Sequence, residues 1–425
     1  MLLFLGLSAC APAAPAVSPV TPVEATAITK VSVSAPLPAE PSAEDQRVAG
    51  VVPLWLPNFY ASLHELDAGR RQRHVRVLWF GDSHTAADFW TQAVRDPLQA
   101  RFGTGGAGLV LLGLQMYRHG QAHVSRTGQW RIIPRSPSAT WPQQDGFLGL
   151  AGMGAAPTTA DASVTLELPG GLEWARGPLR WELLYRLPEL TSTFAVQSGD
   201  VHRRVLAGAG QVRPSGLSSM VVETRGNVSL TVDALVDAPE LFGVIVEAEA
   251  AGLVIDTLGI NGARAATLLA WDADPWVEEV KARDPALVVL AYGTNEVGDS
   301  AEVSVYREQY THLLGRLRAA APGADCLLLG PTDRVGRDWI TDPRVVLIDE
   351  AQASLAKDLG CAFFSTLGAM GGPGSLRRWA FGNPRLARRD RVHLLASGYR
   401  KLGAAIANQM LESYAARYPD AERAQ

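Results

Sequence analysis

Val75-Arg76-Val77-Leu78-Trp79-Phe80-Gly81-Asp82-Ser83-His84 is the stretch from which the rest of the chain can be organised. Val75 to Phe80 is a near-continuous apolar run. A strand buried on both faces of a parallel sheet carries that pattern. Gly81 closes the run, and the residues that follow, to about Phe102, have helical character. Ser83 therefore falls in a strand-to-helix turn at the carboxyl edge of a sheet, which is where open α/β sheets place their ligands. Ser and Asp are also good helix N-caps, so this block alone is equally a capping turn.

Working outward, further apolar runs occur at Leu253–Leu258, Ala286–Tyr292, Cys326–Leu329 and Cys361–Phe364. Helical patterns at 275–284, 303–320 and 343–359 separate most of them. This alternation predicts an α/β fold, a doubly wound parallel sheet with helices on both faces. Tyr399, Leu402, Ile406 and Met410 recur at nearly helical spacing, so a helix packed on the sheet closes the domain. The gap from Ser83 to Gly262 is far longer than the roughly 30 residues of a βαβ unit. Within it, Val164, Leu166 and Leu168 alternate with polar residues, as do Val228, Leu230 and Val232. Leu179–Leu187 and Phe242–Glu247 are further strand candidates. Short alternating strands with turn signals predict an inserted β-sandwich, placed at 118–250. The α/β domain then comprises 49–117 and 251–425. The insert is expected to fold over the cleft and to be separable from it.

The chain has 425 residues, 47% of them hydrophobic, enough for a large core. A net charge of -4 argues against a nucleic-acid partner, which calls for a clustered basic face. The cluster Arg385, Arg388, Arg389 and Arg391 reads as a solvated loop. Residues 1–10 read as a processing segment, because Leu7-Ser8-Ala9-Cys10 resembles a bacterial lipobox. That resemblance implies lipidation at Cys10, a membrane anchor, and a place on the periplasmic side of the cell envelope. Residues 11–48 are rich in Ala, Pro, Val, Ser and Thr and read as an extended tether. Cys326 and Cys361 each open a predicted strand. Two buried thiols are favoured over a disulfide, since sequence cannot establish the Cα approach a disulfide needs.

Three blocks carry the chemistry. A Ser hydroxyl becomes a nucleophile only when a base takes its proton. Asp390-Arg391-Val392-His393 offers that base: a spacing of three lets the Asp390 carboxylate reach one ring nitrogen while the other faces Ser83. Attack on an ester builds negative charge on the carbonyl oxygen, which fixed donors must meet. Asn295, in Gly293-Thr294-Asn295-Glu296, can supply a side-chain amide. Gly262, in Gly259-Ile260-Asn261-Gly262-Ala263-Arg264, can bring a bare backbone N–H to the substrate. Alone, either is also an ordinary turn residue. Arg264 and Trp379 are candidate substrate contacts, the second as a surface on which a sugar ring could stack. Gly103-Thr104-Gly105-Gly106-Ala107-Gly108 satisfies G-x-G-x-x-G, but it follows a helix instead of joining strand to helix, so it reads as a flexible loop near the site. No His/Cys spacing implies a metal.

Taken together, the blocks resemble the SGNH (GDSL-type) hydrolase superfamily. Its four marker residues would be Ser83, Gly262, Asn295 and His393, with Asp390 as the triad acid. The first block reads GDSH in place of GDSL, and Glu296 stands where many members carry Asp. The insert and the lipoprotein-like start look most like bacterial peptidoglycan O-acetylesterases, in which the insert resembles a carbohydrate-binding module. The resemblance implies a serine esterase without a cofactor, acting on an acetylated envelope glycan. An O-acetyltransferase with the same triad and a non-enzymatic glycan-binding lipoprotein are the alternatives.

Overall fold

Alternate residues of the run that opens at Val75 feed two different cores, which is why it is apolar at nearly every position. Val75, Val77 and Trp79 face one helical layer, Leu78 and Phe80 the other. The structure, a computed structural model, describes residues 53–112, 117–133, 148–237 and 239–419. The lipobox-like segment with Cys10 and the tether at 11–48 lie outside the described residues.

Strands β1 (Val75–Gly81), β2 (Leu253–Gly259), β3 (Leu287–Ala291), β4 (Asp325–Leu329) and β5 (Ala362–Phe364) form an all-parallel sheet. Their spatial order is β2-β1-β3-β4-β5. The chain order reverses direction around β1, so the carboxyl ends of β1, β2 and β3 converge at a topological switch point. The helices are α1 (Pro57–Asp67), α2 (Ser83–Ala86), α3 (Phe89–Phe102), α4 (Ala265–Leu269), α5 (Ala273–Arg283), α6 (Val303–Ala320), α7 (Pro343–Asp358), α8 (Thr366–Met370), α9 (Ser375–Phe381) and α10 (Ala396–Arg417). Phe59 and Leu63 of α1, Val94 and Leu98 of α3, and Leu402 and Ile406 of α10 cover one face. Trp276 and Val280 of α5, Tyr310 and Leu313 of α6, and Ile348 of α7 cover the other.

Between α3 and β2 the chain builds two antiparallel sheets. One runs through Gln211–Val212, Ser218–Arg225, Pro178–Arg186, Glu240–Ala248, Gly154–Pro157 and Trp130–Ile133. The other runs through His123–Thr127, Ser163–Glu167, Ser229–Val236, Thr193–Ser198 and Val201–Leu206. Trp181, Tyr185, Phe194, Leu166 and Val232 fill the space between them. Gly106–Val110, ahead of residue 118, also pairs with Glu240–Ala248, so antiparallel structure begins before the predicted insert.

Three sequence expectations are corrected here. The insert does not stand apart from the α/β domain. Leu150, Met153, Ala155, Phe242 and Ile245 share one core with Trp271 and Trp276. A buried ion network crosses the same boundary. Arg283 of α5 donates to Asp256 of β2 (2.8 Å) and to Glu247 of the antiparallel sheet (2.9 Å), and Glu247 also accepts from Arg76 of β1 (2.8 Å). That pairing accounts for the one charge in the Val75–Phe80 run. Second, the G-x-G-x-x-G stretch is no flexible loop by the site. It lies at the amino end of β2, where Gly105 N donates to Leu253 O (2.9 Å), and a Cβ at Gly106 would come within 2.4 Å of Val246 O. Third, Cys326 and Cys361 are joined as a disulfide. The register sets Leu327 opposite Ala362, which brings the two cysteines to a Cα separation of 4.8 Å, inside the range such a bond needs.

Candidate active site

The turn after β1 depends on Gly81, because a Cβ there would lie 2.1 Å from Thr85 Oγ1. With that space open, α2 folds back tightly on the strand end. Asp82 caps α2, its Oδ1 accepting from His84 N at 2.9 Å. Asp82 thus takes the capping role that Ser83 could have filled, and the Ser83 hydroxyl is left to reach elsewhere. Its Oγ lies 3.0 Å from His393 Nε2.

His393 precedes α10 in a short turn, and the turn sets its orientation. Asp390 Oδ1 accepts from His393 N (2.8 Å) and Val392 N (3.1 Å), while Oδ2 lies 3.0 Å from His393 Nδ1. One carboxylate therefore organises the backbone and the ring of the same histidine. With Nδ1–H donating to Asp390, Nε2 is the acceptor that faces the Ser83 hydroxyl. Partial burial pushes the Asp390 carboxyl up, but the two amides and the imidazole outweigh it and hold the group below its ordinary range. Arg388 N donates to His393 O (2.8 Å), and Val335 N to Arg391 O (3.2 Å), which tie the turn to the domain.

His84 stands behind this pair. It is 2% exposed, and its ring centroid lies 5.5 Å from that of His393. Its nitrogens are engaged by Tyr399 Oη (2.9 Å) and Thr332 Oγ1 (3.2 Å). Burial, reinforced by His393, pushes its pKa down to about 3, so it is neutral near pH 7. It cannot serve Ser83 as a base, and it acts as a neutral wall beside His393.

Gly262 and Asn295 lie at the ends of β2 and β3. Gly262 has a φ of +79°, a conformation that suits glycine. Asn295 Nδ2 donates to Ala263 O (2.9 Å), which joins the two loops. Glu296, 3% exposed, makes a second junction: Oε1 accepts from Ala265 N (2.9 Å) and Oε2 from Gly293 N (3.0 Å). Burial pushes the Asp82 carboxyl up to about 8 and that of Glu296 up to about 7.

The two candidate substrate contacts behave otherwise than expected. Arg264 is committed to a bidentate pair with Asp299 (2.8–3.1 Å) and donates to Gly262 O (3.3 Å), so it braces the glycine's loop. Trp379 is only 4% exposed, packed in the core with Lys401 over its ring, and no sugar can stack on it. The exposed aromatic on α9 is Phe381, flanked by Trp339 and Arg389. A cavity of about 440 Å³ lies beside α2, between the β2 edge (Thr257, Gly259) and Tyr117, Arg118, His119 and Arg126. Tyr117 Oη accepts from Asn261 N (3.2 Å), so the wall of this cavity touches the Gly262 loop. Among the described residues, no group of His, Cys, Asp and Glu side chains is placed to hold a metal.

Residues 230–401 match the GDSL-like Lipase/Acylhydrolase family. That span contains Gly262, Asn295, Asp390 and His393 but not Ser83, which the insert separates from them. The match thus covers the later part of the α/β domain and not its first strand and turn. The chain's fold matches a solved peptidoglycan O-acetylesterase at 24% identity and a TM-score of 0.69, over 84% of this chain and 96% of that one. An acetyl xylan esterase matches at 20% identity over 38% of this chain and 81% of that one, with a TM-score of 0.29. The periplasmic domain of a lipopolysaccharide acetyltransferase from Salmonella ser. Paratyphi A matches at 14% identity over 37% of this chain and 73% of that one, with a TM-score of 0.31. No curated protein matches the chain. The partial family match and the shared fold support a carboxylic ester hydrolase.

Sequence reasoning offered Asp82 or Ser83 as the cap without choosing between them, and it missed Glu296 as a bridge and His84, Thr332 and Tyr399 as the surroundings of His393. Tyr399 read as one more core residue of a periodic helix, which it also is. The available signal for Glu296 was an acidic residue directly beside a candidate donor at a strand end.

Proposed function

We propose that this protein is a serine esterase that removes O-acetyl groups from a cell-envelope glycan, with peptidoglycan as the leading substrate. The observation that carries the reading is the unbroken chain Ser83 Oγ, His393 Nε2, His393 Nδ1, Asp390 Oδ2, with 3.0 Å at each hydrogen-bonded step. Ser83 Oγ attacks the acetyl carbonyl carbon as His393 takes its proton. Asp390 holds the tautomer and stabilises the imidazolium. The N–H groups of Ser83 and Gly262 and the Asn295 amide meet the oxyanion. The sugar oxygen leaves, taking the proton from His393 as the C–O bond breaks. His393 then deprotonates a water that attacks the acetyl-enzyme, and acetate and free Ser83 result.

The glycan part of the reading draws on the two antiparallel sheets beside the site and on the peptidoglycan O-acetylesterase of like fold. Export and a lipid anchor at Cys10 belong to the same proposal. They are supported by the lipobox-like Leu7-Ser8-Ala9-Cys10 and by a disulfide, a bond that persists mainly in oxidising compartments.

The test is acetate release from O-acetylated peptidoglycan, with de-O-acetylated peptidoglycan and an aryl acetate alongside. Acetate from the first and the last, in a Ser83-dependent manner, is expected. Hydrolysis of the aryl acetate alone would remove the glycan assignment. Acetyl groups moved to an added sugar in place of water would make the protein a transferase.

A further inference from the structure

We propose that Glu296 is the positioning residue that holds the oxyanion donors in register, by clamping the Gly262 loop and the Asn295 loop to one carboxylate. The inference rests on the serine-esterase reading of the site. The two loops come from different strands, β2 and β3, which are not neighbours in the sheet because β1 lies between them. Glu296 does so from one planar group. Oε1 accepts from Ala265 N at 2.9 Å, and Oε2 accepts from Gly293 N at 3.0 Å.

Both donors are backbone amides that lack a partner within their own element. Ala265 is the first residue of α4, so its N–H has no intrahelical partner. Gly293 leaves β3 with a φ of +133°, where the chain turns out of the sheet and its amide needs a new acceptor. Asn295 Nδ2 donates the other way, to Ala263 O at 2.9 Å. The loop after β3 therefore both accepts from and donates to the loop after β2, at points two residues apart. Gly262 lies three positions before one anchored amide, and Asn295 two positions after the other. The main-chain oxygen of Glu296 accepts from Arg344 Nε (2.9 Å), and Arg334 donates to Thr294 O (2.9 Å), so the clamp is itself held by α7 and the loop before it. Among the described residues, the side-chain hydrogen bonds of Glu296 run to Ala265 and Gly293 and a main-chain one to Arg344, not to Ser83 or His393. Its effect on the reaction passes through the donors it aligns.

A misplacement of about 1 Å at a reacting centre can cost on the order of 10²-fold in rate, and a lost oxyanion donor costs 10²–10³-fold. Glu296→Gln keeps the length but presents an NH2 to one of the two amides. It should lower kcat on an aryl acetate by about 10- to 100-fold with KM within about twofold, because an oxyanion contact strengthens in the transition state. Affinity for methylboronic acid, a mimic of the tetrahedral intermediate, should fall by the same factor, while inhibition by acetate stays as in wild type. A second variant removes one arm from the other side. Ala265→Pro deletes the donor at a helix position that tolerates proline, and Arg264, at φ -126° and ψ 166°, already has the extended backbone that must precede one. It too should lower kcat and leave KM, even if Glu296→Gln does not fold. In an Asn295→Ala background, Glu296→Gln should cost little more, since both changes act through one hole.

Wild-type kcat in a folded Glu296→Gln or Ala265→Pro variant would overturn the clamp, as would full additivity with Asn295→Ala. Turnover that survives in Ser83→Ala would instead overturn the serine-esterase reading, so the two failures are told apart in one set of assays.

Discussion

Ser83 Oγ and His393 Nε2 are 3.0 Å apart, although 310 positions separate the residues in the chain. The parallel sheet makes this meeting possible. Ser83 is delivered by the turn after β1, and His393 by the turn before a helix packed on the same sheet. Ser83→Ala should therefore abolish aryl acetate hydrolysis with the fold intact, leaving at most the weak residual catalysis, on the order of 10³–10⁴ over water, that donors alone supply. Turnover and far-UV circular dichroism of the same preparation check both halves of this statement.

Asp390 organises His393 through three hydrogen bonds, two to backbone amides and one to the ring. Asp390→Asn retains an acceptor but presents the ring with an amide, and favours the wrong tautomer. The comparable change in a serine protease triad lowers kcat by about 10⁴-fold. A loss of at least 10²-fold with little change in KM is expected here, measured on an aryl acetate.

The shared core and the Glu247 network oppose removal of the insert. Deleting 118–250 would uncover Trp271 and Trp276 and leave Arg283 without Glu247. Arg76, whose guanidinium is held by Glu247, would lose its partner, and leaving a buried charge unpaired costs about 3–5 kcal/mol even before the apolar loss. The deletion variant should lose cooperative unfolding and aryl acetate hydrolysis together. A well-folded deletion variant with full activity would show the two parts to be independent after all.

The disulfide closes a loop of 35 residues at the amino ends of β4 and β5, the edge opposite Ser83. Its loss should destabilise the protein by on the order of 3 kcal/mol. Cys326→Ser/Cys361→Ser should accordingly melt at a lower temperature while retaining kcat well below its midpoint. A fall in kcat at low temperature would place the bond in the working geometry of the site.

Glu296 makes stability depend on pH with a definite sign. Burial raises its carboxyl pKa to about 7 in the folded protein, above the ordinary 4.5. Between those values the folded state holds a proton that the unfolded state has released. Its contribution is full below the unfolded value and is lost as pH rises through about 7. Buried neutral histidines such as His84 run the other way at lower pH, so the comparison must be with Glu296→Gln. The unfolding midpoint of the variant relative to wild type should rise between about pH 5 and pH 8. A constant difference across that range would show that Glu296 titrates normally.

The sequence by itself determined the parallel sheet, its helical layers and the chemical blocks, because each is a local signal. A strand buried on both faces must be apolar throughout, as Val75–Phe80 is, and Asp390 reaches His393 within one turn. It also marked the alternation of Val164, Leu166 and Leu168 that gives an antiparallel strand, since a side-chain period of two is written in consecutive residues. Tertiary structure alone decided the rest. Trp379 was free to be a stacking surface until packing buried it, and Arg264 to be a substrate contact until Asp299 took its guanidinium. The two cysteines were unpaired until strand register brought them together. The insert was a separable module until Phe242 and Trp271 proved to share a core. In each case the deciding partner lies far away in the chain, and the strength of a hydrogen bond, an ion pair or an apolar contact depends on which groups folding brings within reach, a distance that no local pattern encodes.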